Sequence, residues 1–254
     1  MRTHLLAVCC LFLASAAAAR PQEGKVSAEG EQCLACHAST TPGAVEQWRG
    51  SAHAKKGVDC YGCHRGGEKD PATFVHYGFK IAVIVTPNYC GRCHAKEVQQ
   101  FEKSHHAKAA QFSGSLDNML GEIVEGGPAA INGCRQCHGS EVKYTGDGKF
   151  DAATWPNSGI GRVNPDGSKG TCAACHGRHS FSSAQARQPE NCGKCHMGPD
   201  HPQIEIYNES KHGIQFRANV AKMNLESKSW VVGKDYWAAP TCATCHMSAT
   251  SDQG

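Results

Sequence analysis

Residues 171–201 read TCAACHGRHSFSSAQARQPENCGKCHMGPDH. The stretch holds two copies of Cys-x-x-Cys-His, Cys172–His176 and Cys192–His196, and two further histidines, His179 and His201. Working outward, five more copies appear: CLACH (33–37), CYGCH (60–64), CGRCH (90–94), CRQCH (134–138) and CATCH (242–246). Of 16 cysteines, 14 fall in these motifs, and the other two, Cys9 and Cys10, lie near the N-terminus. One such motif is ambiguous between a zinc half-site, a redox pair and a haem attachment site. Seven, with no cysteine left over between them, select covalent haem. Two thiols at i and i+3 add to the two vinyl groups of one haem, and the adjacent histidine becomes the proximal iron ligand.

The pairs that attach haem are then Cys33 and Cys36, Cys60 and Cys63, Cys90 and Cys93, Cys134 and Cys137, Cys172 and Cys175, Cys192 and Cys195, and Cys242 and Cys245. The proximal ligands are His37, His64, His94, His138, His176, His196 and His246. Seven haems c shared among 254 residues leave too little chain for an ordinary side-chain core. The expected fold is mainly α with extensive loops and little β, the haems forming the core.

Residues 1–19, MRTHLLAVCCLFLASAAAA, carry an arginine, an apolar run and a small-residue end. They read as a secretory signal peptide, leaving 20–254 as a multihaem domain that is exported, periplasmic and soluble after cleavage. The formal net charge of +3, and the lack of a basic stripe interleaved with aromatics, argue against a nucleic-acid partner.

Beyond His4 and the proximal ligands, seven histidines remain: His53, His76, His105, His106, His179, His201 and His212. An electron-transfer haem takes a second strong axial ligand, and a catalytic haem keeps a position open. Three of the seven sit in a repeat, VEQWRGSAH (45–53), VQQFEKSHH (98–106) and IEIYNESKH (204–212). On one helix the aliphatic, aromatic and histidine positions fall within an arc of about 140°. Thr41-Pro42 fits a helix start and Gly213 a helix stop. His53, His106 and His212 are therefore expected on the apolar side of short helices as distal ligands. His105, His76 and His179 are further distal candidates, hydrogen bonding to propionate or backbone being the alternative. If all six bind iron, one haem stays open and His201 is left over.

The stretches 40–64, 85–110, 132–140, 155–214 and 241–250 together closely resemble the octahaem hydroxylamine oxidoreductases. The resemblance implies that the fourth haem, on Cys134, Cys137 and His138, is catalytic, with Asp200 and His201 on its distal side. It implies oxidation of hydroxylamine, a small cytochrome c or quinone-linked cytochrome as redox partner, and a homotrimer. Two departures stand out. The family has eight motifs against seven here, and it continues past CATCHMSAT into a helical region carrying the eighth haem and a cross-linking tyrosine. The expectation is a C-terminally truncated chain. Reduction of nitrite or hydroxylamine toward ammonia, and pure electron transfer, remain as alternatives.

Overall fold

The structure is a computed structural model that describes residues 24–111, 133–199, 201–237 and 239–247. The signal-peptide reading and Asp200 lie outside the described residues. The first half runs through α1 (Ala28–Thr40), α2 (Pro42–Arg49), α3 (Ala52–Lys55), α4 (Cys60–His64), β1 (Thr73–His76), β2 (Phe79–Ala82), α5 (Pro87–Cys90) and α6 (Ala95–Lys103). After residue 132 come α7 (Cys134–His138), β3 (Tyr144–Gly146), β4 (Lys149–Phe150), α8 (Ser183–Arg187), α9 (Pro189–Gly193), α10 (Gln203–Glu209), α11 (Lys211–Asn219) and α12 (Cys242–His246). The architecture is mainly α with long loops, and the strands form two isolated antiparallel hairpins. None of the described helices is long and apolar enough to cross a membrane.

Each Cys-x-x-Cys-His motif lies on a helical turn. Three of them coincide with a whole helix: α4, α7 and α12. The first lies inside α1, and the other three close the same turn with a backbone bond from the histidine N–H to the first cysteine carbonyl, His94 to Cys90 at 2.9 Å, His176 to Cys172 at 2.9 Å and His196 to Cys192 at 3.0 Å. One turn puts residues three and four apart on one face, so both thiols project together. Several of these turns are capped: Asp59 accepts from Gly62 N–H at 2.9 Å, Thr171 from Ala173 N–H at 3.3 Å, and Thr241 forms a reciprocal box with Thr244.

The three repeats do not form the continuous helices expected. In each, the helix stops before the serine, which is extended: Ser51 at φ −77°, ψ 160°, Ser104 at −76°, 159° and Ser210 at −71°, 161°. Its hydroxyl then caps the next turn, accepting from Ala54 at 3.1 Å, Ala107 at 3.3 Å and Gly213 at 3.2 Å. Serine competes for backbone groups inside a helix and caps one well. The histidine therefore stands at the start of a second turn, not on the apolar arc of the first. The residue after it is small: Ala54 and Ala107 are buried, and a Cβ on Gly213 would overlap the Tyr207 carbonyl oxygen. Gly213 is thus interior to α11, where backbone approach requires it, and is not a helix stop. Thr41-Pro42 does open α2.

Side-chain packing is modest. Among the described residues, 14 hydrophobic side chains are buried, six of them alanine. Leu34, Val45, Trp48 and Ala54 form one cluster, and Phe216, Leu225 and Ala239 a second with Tyr207 and Trp230. A polar knot adds to these clusters. Buried Arg162 donates to Asn164 Oδ1 at 2.8 Å and to the Asn157 carbonyl at 3.0 Å. The same loop clasps α7 through Ile160 N–H to the Cys137 carbonyl at 2.9 Å and Gly161 N–H to the His138 carbonyl at 3.1 Å. Asp166 ties it to the start of α5, accepting from Thr86 Oγ1 at 2.6 Å.

Asp59 joins α1 to α4, since its Oδ2 accepts from Ser27 N–H at 2.8 Å and Ser27 Oγ at 2.6 Å. Burial alone would raise its pKa, but the hydrogen bonds from Ser27 and Gly62 outweigh that and hold it below the ordinary 3.8. A depressed carboxyl contributes stability above the unfolded pKa and loses it as pH falls through the folded value. Asp59→Ala is expected to cost about 1–3 kcal/mol in denaturant unfolding at pH 7. The gap to the unsubstituted protein should close below pH 3.8.

Candidate functional site

The motif turns meet one another. None of the fourteen described cysteines is in a disulfide. Cys60 lies beside Cys33, and Cys63 beside Cys90 and Cys93. Cys90 reaches Cys172, Cys195 reaches Cys137, and Cys192 reaches both Cys242 and Cys175. The attachment sites thus follow the order first, second, third, fifth, sixth, with the fourth and seventh both against the sixth.

Opposite the proximal histidines stand other imidazoles. Ring centres are 6.2 Å apart for His37 and His76, 6.1 Å for His94 and His53, 6.5 Å for His64 and His179, and 6.2 Å for both His196 with His106 and His138 with His201. A metal bonded to two imidazole nitrogens at about 2.0 Å each sets the ring centres roughly 6 Å apart. The five separations match that span.

The ring orientations fit as well. Nδ1 of His64 bonds the Ala82 carbonyl at 2.8 Å, Nδ1 of His138 the Ala109 carbonyl at 3.3 Å, and Nδ1 of His37 the Thr41 hydroxyl at 3.0 Å. With Nδ1 engaged, Nε2 is the nitrogen left for a metal. Burial first, then neighbouring imidazoles, pushes His53 and His106 below the ordinary value, and burial is also the main cause for His64, His176 and His179. Neutral imidazole is the ligating form. Paired thiols on one turn, a neutral histidine beside them and a second imidazole across about 6 Å are the donor set of a bis-histidine haem c.

The distal rings arrive by different routes. His53 and His106 follow the serine breaks. His76 ends β1, whose register His76↔Phe79 closes over Tyr77 and Gly78. Both turn residues have positive φ, 47° and 86°, the tight turn matched to strand twist. His179 follows the fifth motif directly and faces the second. The serine caps, the hairpin and the carbonyls of Ala82 and Ala109 were not among the sequence expectations. The caps had a signal in the shared Ser-x-His-Ala/Gly ending, and the carbonyls had none.

His201 differs from the other distal rings. It faces His138 and also stands 6.5 Å from His196. It is exposed, whereas His138 and His196 are half-buried. His105 and His212 are both exposed.

Residues 56–254 match the family described as "Seven times multi-haem cytochrome CxxCH". The chain belongs to the multi-haem cytochrome CxxCH family. It is 29% identical over 85% of its length to a "Probable nitrite reductase-hydroxylamine oxidoreductase fusion protein" of Kuenenia stuttgartiensis, covering 25% of that protein. It is 30% identical over 60% of its length to the C-type polyheme cytochrome OmcC of Geobacter sulfurreducens, covering 21%. Among solved structures, a "Hypothetical multiheme protein" matches 89% of the chain and 54% of its own, at 36% identity and a TM-score of 0.80. A "reducing HAO-like protein complex" of Kuenenia stuttgartiensis matches 86% and 42%, at 25% identity and 0.60. The chain thus spans about a quarter of these curated relatives and about half of these solved chains. Membership carries covalently bound c-type haem with iron, and relatives of this multihaem cytochrome include proteins named for nitrogen-compound oxidoreduction.

Purified protein is expected to give seven haems per chain in a pyridine haemochrome assay. His76→Ala should leave that count unchanged and convert one low-spin haem to high spin in the absorption and EPR spectra. An unchanged spin state would remove His76 from the ligand set.

Proposed function

We propose that the chain is an exported oxidoreductase for small nitrogen compounds, oxidising hydroxylamine to nitric oxide or nitrite at the His138 centre, while its paired-imidazole sites carry electrons. The observation that carries this reading is His201: its ring stands 6.2 Å from that of His138 and 6.5 Å from that of His196, and its side chain is exposed. Cys134, Cys137 and His138 would hold a haem, whose iron would supply the binding position for the nitrogen compound and an acceptor for its electrons. The chain's own residues supply the rest. The loop at Ile160 and Gly161 fixes α7, and the Ala109 carbonyl fixes the His138 ring. Removing electrons from hydroxylamine also releases protons, and histidine is the side chain that accepts them near neutral pH. His201 takes that role, with Asp200 beside it in sequence to orient the ring. Pro199 and Pro202 flank the pair and restrict its backbone.

The redox partner is a small cytochrome c or a quinone-linked cytochrome, outside the cytoplasm, where a leader at 1–19 would deliver the chain. The names of relatives carry both directions of chemistry, so nitrite or hydroxylamine reduction is the competing direction. A second reading rests on spacing: His138 and His201 stand at the same 6.2 Å as His196 and His106. On that reading His201 is a sixth ligand and the whole chain is an electron carrier.

His201→Ala separates the readings. The catalytic reading expects hydroxylamine-dependent haem reduction to fall about 10²- to 10⁴-fold, with no added high-spin haem. The carrier reading expects one added high-spin haem and no hydroxylamine turnover before substitution. Mixing reduced protein with nitrite reads the reverse direction.

A further inference from the structure

The loop that follows the fifth attachment turn touches three sites. His176 closes that turn, His179 faces His64 at the second site, and the ring of Phe181 stands 5.1 Å from that of His53, edge-on at 87°. His53 in turn faces His94 at the third site. The contact runs both ways. Gln47, on the α2 helix that leads to His53, accepts from the His179 N–H through Oε1 at 3.1 Å.

Phe181 is held where an aromatic residue rarely sits, at φ +48° in the left-handed region. Its N–H donates to the Gly177 carbonyl at 2.9 Å, and the Ser180 hydroxyl donates to the same oxygen at 3.3 Å. The Gln185 side chain closes over Gly177, where a Cβ would lie 2.5 Å from its Oε1. A bulky residue keeps such a φ only when its surroundings fix it, and these positions gather at functional sites. Here the strained backbone delivers an aromatic ring to His53. His37, His64 and His138 are oriented by a hydrogen bond at Nδ1. Nδ1 of His53 is buried with no hydrogen-bond partner among the described residues, and its ring is oriented by packing against Phe181.

That orientation has an electronic consequence. The facing pairs meet at 36° for His64 with His179, 45° for His37 with His76, 65° for His138 with His201, 70° for His196 with His106 and 89° for His94 with His53. In a low-spin ferric haem, two iron orbitals of π symmetry overlap the axial rings. Rings close to parallel act on the same orbital, split the pair and stabilise the ferric state. Crossed rings act on different orbitals and leave the pair close in energy. The ferric state is then stabilised less, the reduction potential rises and the EPR g-values spread. Groups that support an axial ligand from outside the coordination sphere are a lever on both.

We propose that Phe181 is a positioning residue: it holds His53 crossed to His94 and so makes the third site a crossed-ligand haem, higher in potential than the second. An electron on the second site then passes downhill to the third, whose attachment turn adjoins it through Cys63 and Cys90. The proposal rests on the paired imidazoles of these two sites and not on the chemistry above His138.

An EPR-monitored redox titration of the haem-loaded protein tests it. His53→Met should remove one large-gmax low-spin signal, which assigns that signal to the third site. Phe181→Leu keeps a side chain at the same φ but loses the ring. It should move the same signal to smaller gmax and lower one midpoint potential, with the number of haems and of low-spin haems unchanged. Phe181→Tyr should restore both. If Phe181→Leu lowers the melting temperature but leaves signal and potential in place, Phe181 is only structural and the proposal fails. If His53→Met removes no such signal, His53 leaves the ligand set and the proposal falls with it.

Discussion

An imidazole held about 6 Å from another imidazole is the contact on which the rest of this structure depends. Five such pairs join segments that are far apart in sequence, His64 with His179 and His106 with His196 being the widest. Each pair demands that two backbone segments stay parted by the thickness of a planar group while their side chains converge. Close packing of helix on helix cannot meet that demand, because helix axes then approach to about 8–10 Å with side chains interdigitated. The chain meets it with short turns, several of them capped at the start, and with one hairpin, each presenting a histidine.

That constraint explains the small side-chain core. Six alanines among 14 buried hydrophobics bury little area per residue, and a chain of this size would ordinarily remove about 70% of its unfolded surface from water. The stability missing from apolar burial is partly recovered in polar form. Arg162 lies buried on Asn164 and Asn157 with Trp155 5.5 Å away, and Arg187 bonds the Leu225 and Ser227 carbonyls while lying over Trp230. Buried guanidinium groups are costly unless satisfied. Here they fasten loops that flank the fourth and seventh attachment turns, where a slip would move a proximal histidine.

The attachment residues were legible because covalent chemistry dictates their spacing, and a helical turn satisfies it wherever it occurs. The ligand role of the repeat was partly legible. Aliphatic and aromatic positions marked the first helix, but reading through Ser51, Ser104 and Ser210 treated a cap as helix interior. The backbone decided otherwise because the serine hydroxyl bonds the N–H three residues on. His76 was visible only as a histidine in an irregular stretch; its position depends on a two-residue turn with positive φ at Tyr77, a residue type that does not advertise one. Which distal ring meets which proximal ring depends on tertiary contacts, and no local pattern encodes them. Counting left one site open without saying which, and in space the histidine it left over, His201, stands 6.2 Å from His138.

The position of His201 has a further consequence. The link from Cys192 through His196 to His201 is short, and two prolines stiffen its end. The sixth attachment turn therefore cannot shift without carrying His201 with it. Through Cys195 and Cys137 the same turn lies against the fourth attachment site, and through Cys192 it lies against the seventh. The sixth attachment turn thus lies against the fourth site, while His201, a few residues on in sequence, stands 6.2 Å from His138. On the proposed function, a proton acceptor at His201 and an electron acceptor at the sixth site would keep their distances to the fourth site together. That is what a reaction that removes protons and electrons from one small molecule requires.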